Sequence, residues 1–270
     1  MKFLRLKIVL VSFLLITGLI FFSAGNSHAI PKLQLDIAGG TYDASTGTIV
    51  ANANSFTLYA YLIPNGDGAG TALLTDKYYI SAAVAPKYGP TGGTLGSFEF
   101  DGMTTDVTSE MTYGNPPLHD PKGANYDPLD LEPHGIFDTY YTEFEFKFDS
   151  KLQIDPYNTQ DRAKNSTEMP SGGSGMYYME FTVDTSGLLA SGYSIHFDLY
   201  NTVTLVDTVC KKHGKKSCNV YKAITDLDVK ANAPFSHDAE SRHHQVPEPS
   251  TVLLLGSGLI GLWASRRFFI

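Results

Sequence analysis

The stretch Tyr140–Asp149, YYTEFEFKFD, alternates aromatic and charged residues along its length. Successive side chains of a strand point to opposite faces. Phe144, Phe146 and Phe148 therefore share one face, and Glu143, Glu145, Lys147 and Asp149 the other. That pattern predicts a half-buried antiparallel strand. MYYMEFTVD (Met176–Asp184) repeats it, with Tyr177, Met179, Phe181 and Val183 inward. In GYSIHFDLYN, Tyr193, Ile195, Phe197 and Leu199 turn inward and leave His196 and Asp198 outward. Ser55–Leu62 and Lys77–Ala85 are apolar on one face and aromatic or small on the other, while KLQLDI and GSFEFD add shorter strands. No stretch of the body carries a sustained helical period. With Gly, Pro and Asn punctuating the strands, the reading is all-β: an antiparallel β-sandwich, jelly-roll-like.

Three loops interrupt the strands: the glycine-rich YGPTGGTLG, the proline- and acid-rich Thr112–Gly135, and the polar DPYNTQDRAKNSTEMPSGGSG. Long connections of this kind are either functional or disordered. Past Phe235, SHDAESRHHQ reads as a linker.

Both ends of the chain differ from the body. Lys2, Arg5 and Lys7 precede the apolar Ile8–Phe22, and Ser27–Ala29 places small residues where a signal peptidase reads. Residues 1–29 thus read as a secretory signal peptide, cleaved after Ala29. Its apolar run is short of the ~20 residues a spanning helix needs. At the other end Thr251–Ala264 is apolar and is followed by Arg266 and Arg267. As a helix it reaches about 21 Å against a hydrocarbon core of about 30 Å. It could span only if upright in a locally thinned bilayer, with both arginines snorkelling on the cytoplasmic side.

Pro247-Glu248-Pro249, the short apolar helix and the Arg-rich tip resemble the PEP-CTERM sorting signal of Gram-negative bacteria. The resemblance implies recognition by an exosortase, a membrane cysteine transpeptidase. It further implies export by the secretion machinery, processing near Pro247–Pro249 and a cell-surface or extracellular destination, with the C-terminal helix holding the protein in the membrane beforehand. The expected organisation is a signal peptide at 1–29, a β-sandwich domain at 30–235, a linker at 236–246 and the sorting signal at 247–270. The body segments LQLDIAGGTYD, FTLYAYLIP, YYISAAVAPK, EPHGIFDTYYTEFEF, YNTQD, FDLYN and APFSHDAE resemble the choice-of-anchor secreted bacterial domains, most closely type N. That resemblance implies a surface protein and brings no catalytic or binding residue with it.

The formal charge of −8 falls to −11 without Lys2, Arg5 and Lys7, and to −13 without Arg266 and Arg267. So acidic a body argues against nucleic acid and anionic membrane surfaces as partners. The two cysteines, Cys210 and Cys218, read in an exported chain as a disulfide closing a hairpin tip around His213-Gly214. Their spacing does not suit zinc.

The sequence holds no H-E-x-x-H, no P-loop and no nucleophile elbow, since GGSG at Gly172–Gly175 lacks the elbow's spacing. Glu143 and Glu145 share a face and could form a carboxylate pair, but such residues are ordinarily the wet side of a strand. His134-Gly135 and His237-Asp238 sit at loop edges, where a structural hydrogen bond is favoured over metal ligation. His243-His244 would bind metal only adventitiously. No cofactor and no firm metal site are expected. The weak candidates are for calcium, with Asp36, Asp43 and Asp67 on tight turns that do not match an EF-hand. The resulting expectation is a non-enzymatic, structural or adhesive surface or matrix protein alongside exopolysaccharide. The alternative is a carbohydrate-binding module using Tyr59, Tyr61, Tyr79 and Tyr178, and a secreted glycan-active enzyme stands third.

Overall fold

The computed structural model describes residues 30–68, 70–116, 137–189, 192–213 and 217–242, and of residues 203–213 and 217–228 the backbone alone. The expected signal peptide with Ala29, the loop holding His119 and His134, and the sorting signal with Pro247, Glu248, Pro249, Arg266 and Arg267 lie outside them. So does the expected C-terminal helix. Among the described residues no helix is long and apolar enough to cross a membrane.

The alternating segments become strands and fall into two sheets. The first runs β1 (Leu33–Ile37), β4 (Ser55–Leu62), β11 (Met176–Asp184), β6 (Ser97–Phe100) and β7 (Met103–Asp106), with β10 (Gln153–Ile154) also on β11. The second runs β2 (Thr41–Asp43), β3 (Thr48–Val50), β14 (Ala239–Glu240), β12 (Ser194–His213), β5 (Tyr78–Ala85), β9 (Thr139–Phe146) and β8 (Thr112–Gly114). β13 (Ser217–Asn232) pairs with β12 in a long hairpin. Pairing is antiparallel except between β14 and β3. Asp101 and Gly102 link β6 to β7 with φ of 49° and 79°. This two-residue turn needs positive φ at both positions, which Asp-Gly supplies.

One core joins the sheets. Leu33, Leu35, Ile37, Leu58, Ala60 and Leu62 come from the first, and Ile80, Ala82, Val84, Ile195, Phe197 and Leu199 from the second. Aromatic pairs cross between them: Phe100–Phe144 stack at 4.0 Å and 8°, and Phe146–Phe181 meet edge-on at 5.1 Å. Burying each such side chain contributes about 1.5–3 kcal/mol.

Two expectations about the body need correction. The polar loop after β10 holds a helix, α1 (Thr159–Asn165), whose N-terminus is capped by Asn158 Oδ1 accepting from the Asp161 amide at 3.0 Å. This loop covers the outer face of β1, so Gln34 and Asp36 are as buried as their apolar neighbours. The segment expected to start the linker belongs to the domain: β14 lies between β3 and β12, and the Ser241 amide donates to Ile195 O at 2.8 Å. The expected hairpin around Gly214 is present, with His213 opposite Ser217. Its register pairs Cys210 with Val220 and Cys218 with Lys212, so the cysteines are not directly opposite; their side chains lie outside the described residues.

Candidate functional site

The outer face of the first sheet carries the tyrosines singled out by the alternation. Tyr59 and Tyr61 are two apart on β4 and stack at 5.9 Å, only 7° from parallel. Tyr178 on β11 lies opposite Tyr61 in register and tilts towards both rings, at 6.3 Å from Tyr59 and 6.4 Å from Tyr61. Tyr157 backs the group edge-on to Tyr61 at 5.4 Å, its hydroxyl 2.8 Å from that of Tyr61. Tyr61 is buried, while Tyr59 and Tyr178 are half-buried and Glu180 is exposed. Burial, reinforced by the Glu180 carboxylate, raises the Tyr59 phenol above its ordinary pKa. Tyr59, Tyr61, Tyr178, Glu180, Gln153 and Ser171 line a cleft of about 280 Å³. Its lining combines tyrosine rings with the Gln153 amide, the Ser171 hydroxyl and the Glu180 carboxylate. Tyr79, the fourth aromatic named from the sequence, lies in the second sheet, stacked on Tyr200 at 5.9 Å.

The other residues singled out from the sequence are occupied with structure. Asp36 is ion-paired with Arg162 through both carboxylate oxygens, and the Tyr157 hydroxyl lies 3.0 Å from Oδ2. Burial pushes the Arg162 guanidinium down to about 10, still charged at neutral pH. Asp43 Oδ1 accepts from the amide and hydroxyl of Ser45 in a turn. The Asp67 carbonyl accepts from the Lys32 amide at 2.7 Å. Asp36, Asp43 and Asp67 form no ligating cluster among the described residues. Glu143 accepts from the Tyr200 hydroxyl, and exposed Glu145 pairs with Lys77 at 2.8 Å. The Lys77 ammonium accordingly holds the Glu145 carboxyl below its usual range. His237 contacts Asn158 Oδ1 at 3.2 Å and Ser236 Oγ at 2.8 Å, joining the last turn of the domain to the cap of α1.

Sequence reasoning missed a polar cluster on the outer face of the second sheet. The alternation places His196 and Asp198 outward on β12, and so they are, yet Asp198 is 3% exposed and the His196 side chain 16%. Asp238 and Glu240, beside them at β14, are 1% and 5% exposed. His196 Nε2 lies 3.4 Å from Asp198 Oδ1 and 4.0 Å from Asp238 Oδ2, and Nδ1 lies 3.8 Å from Glu240 Oε2. Burial opposes protonation of the imidazole, but Asp198, Glu240 and Asp238 outweigh it and hold its pKa well above the ordinary value. The cluster sits at the edge of a cavity of about 360 Å³ lined by Ala83, Ala85, Phe137, Phe235 and Thr139. Its signal in the sequence is a pair of i, i+2 doublets, His196-x-Asp198 and Asp238-x-Glu240.

The PEP-CTERM protein-sorting motif matches residues 245–267. The chain carries an exosortase sorting signal. It is thus an exported protein, sorted through the membrane of a Gram-negative bacterium. The match includes Pro247-Glu248-Pro249 and Arg266-Arg267 and covers the end of the chain alone. No curated protein matches the chain.

Proposed function

We propose that the body of this exosortase substrate is a non-enzymatic β-sandwich of the cell surface or extracellular matrix that binds polysaccharide through the Tyr59–Tyr61–Tyr178 face. In this reading the signal peptide is removed after Ala29 and the chain is processed near Pro247–Pro249. The choice-of-anchor resemblance of the body agrees with a surface role. The observation that carries the binding is the pair of half-buried rings Tyr59 and Tyr178, 6.3 Å apart and backed by buried Tyr61, beside Gln153, Ser171 and Glu180. A pyranose ring has an apolar C–H face and a rim of hydroxyls. Aromatic faces flanked by a few polar groups match both. An exported part of charge −13, with Glu180 in the cleft, favours neutral over anionic polysaccharide.

Affinity electrophoresis through gels containing neutral polysaccharides tests this. The wild-type protein is expected to be retarded in at least one. Tyr59→Ala and Tyr178→Ala are each expected to weaken binding by about tenfold, equivalent to about 1.4 kcal/mol. Tyr79→Ala, on the other sheet, is expected to leave it unchanged. Retardation that is absent, or equal in the wild type and both cleft variants, would overturn the reading.

A further inference from the structure

The cluster at His196 is separate from the tyrosine cleft and can do something different. Four potential ligands come from two neighbouring strands. His196 stands opposite Glu240 in the β12–β14 register, and Asp198 and Asp238 each lie two residues along from them. A two-residue step returns each strand to the same face, which is why the four side chains meet. Ligand atoms of His196, Asp198 and Asp238 all lie within 4.8 Å of one another. A tetrahedral zinc site with bonds of about 2.0–2.1 Å has ligand separations of about 3.3 Å. The Nε2–Asp198 distance of 3.4 Å matches that, and the 4.0 Å to Asp238 needs a small inward movement.

A second feature separates this set from a chance gathering of acids. The two ring nitrogens have different neighbours. Nε2 faces Asp198 and Asp238, while Nδ1 faces Glu240. Metal-ligating histidines are commonly oriented in this way, the non-ligating nitrogen held by a carboxylate that fixes the tautomer. Two of the carboxylates are themselves held: the Ser81 hydroxyl donates to Asp198 Oδ2 at 3.0 Å, and the Ser194 hydroxyl donates to Glu240. These hydroxyls and Glu240 form an outer layer around a one-nitrogen, two-carboxylate set. His196, Asp198 and Glu240 also line the adjoining cavity, and Ala83 and Ala85 keep that side open.

We propose that His196, Asp198 and Asp238 bind a divalent transition-metal ion of the zinc type, with Glu240 positioning the imidazole. The donor set decides the class. Calcium takes oxygen ligands, six to eight of them, whereas imidazole with carboxylate suits zinc and its first-row neighbours. Three protein ligands leave a coordination position for water or a small oxygen ligand on the cavity side.

The test is calorimetric titration of the full exported chain, stripped with chelator and dialysed, with Zn²⁺, Mn²⁺ and Ca²⁺ in turn. One equivalent of Zn²⁺ is expected to bind more tightly than Mn²⁺, with no Ca²⁺ binding at the same site, and to raise the melting temperature. His196→Gln and Asp238→Asn are expected to abolish that site. Glu240→Gln is expected to weaken it by about 10–100-fold. His243→Ala/His244→Ala controls for adventitious binding by the tail and is expected to retain the site. Should the variants fold poorly, Co²⁺ added to the wild type is expected to give a visible spectrum without a thiolate band. Zn²⁺ binding that vanishes with His243 and His244, or persists undiminished in His196→Gln, would overturn the proposal. So would a wild type showing neither Zn²⁺ uptake nor a Co²⁺ spectrum, leaving the cluster as an imidazolium–carboxylate network.

Discussion

Replacing Arg162 by methionine is expected to lower the stability of the β domain by about 3–5 kcal/mol. The guanidinium lies under the loop after β10 and donates to both oxygens of Asp36 and to the carbonyls of Ile37, Gly40 and Ser166. Methionine keeps much of the stem but none of these bonds. The Asp36 carboxylate, fully buried on β1, would lose its charge partner and keep only neutral donors. An uncompensated buried charge costs far more than the net worth of the pair. The double variant Arg162→Met/Asp36→Asn should therefore recover part of the loss. Urea unfolding of the single and double variants measures both. A single-variant loss below about 1 kcal/mol, as for an exposed pair, would contradict this account of how α1 is held.

Phe100→Ala is expected to cost about 3–5 kcal/mol, while Phe100→Leu costs less than about 1.5 kcal/mol. Phe100 is the ring at which the sheets meet. It stacks on Phe144 of the second sheet at 4.0 Å and on Phe181 of its own at 5.1 Å, with Phe197 6.3 Å away. Truncation to alanine opens a void that rigid strands on either side close only partly, so the transfer loss and the cavity term add. Equal urea midpoints for the alanine and leucine variants would show that the core repacks freely there.

These two residues mark the boundary of what the sequence discloses. Phe144 and Phe146 mark their strand and its inward face because alternation records which side a residue occupies; β9 ends at Phe146, and Phe148 is buried just past it. Met176–Asp184 and Ser55–Leu62 became β11 and β4 with those limits. Alternation does not record what covers the second side. Asp36 in KLQLDI and His196 and Asp198 in SIHFDL have the pattern of solvated positions, yet each is covered by a segment distant in the chain. α1 is a single short helix whose buried residues are Thr159, Arg162 and Ala163, too little for a helical period to emerge. β14 has two residues and pairs in parallel with β3, so no local signal announces it. The His196 cluster depends on the antiparallel pairing of β14 with β12, a contact between distant segments, so the sequence associates Asp238 with adjacent His237 and not with His196. The tyrosine cleft was more legible, since Tyr59, Tyr61 and Tyr178 lie on regular strands. Tyr79 shares their alternation but belongs to the other sheet.

The most direct test of the central claim, that this is an exported exosortase substrate whose β domain acts at the cell surface or beyond, is the intact mass of the native protein. It should be measured in both cell-envelope and culture-supernatant fractions, with the terminal peptides sequenced. The account predicts a mature chain that begins at Ile30 and ends close to Pro247–Ser250. A chain that retains Thr251–Ile270 in the membrane fraction, with no shortened form outside the cell, would contradict it and make the C-terminal segment a plain anchor.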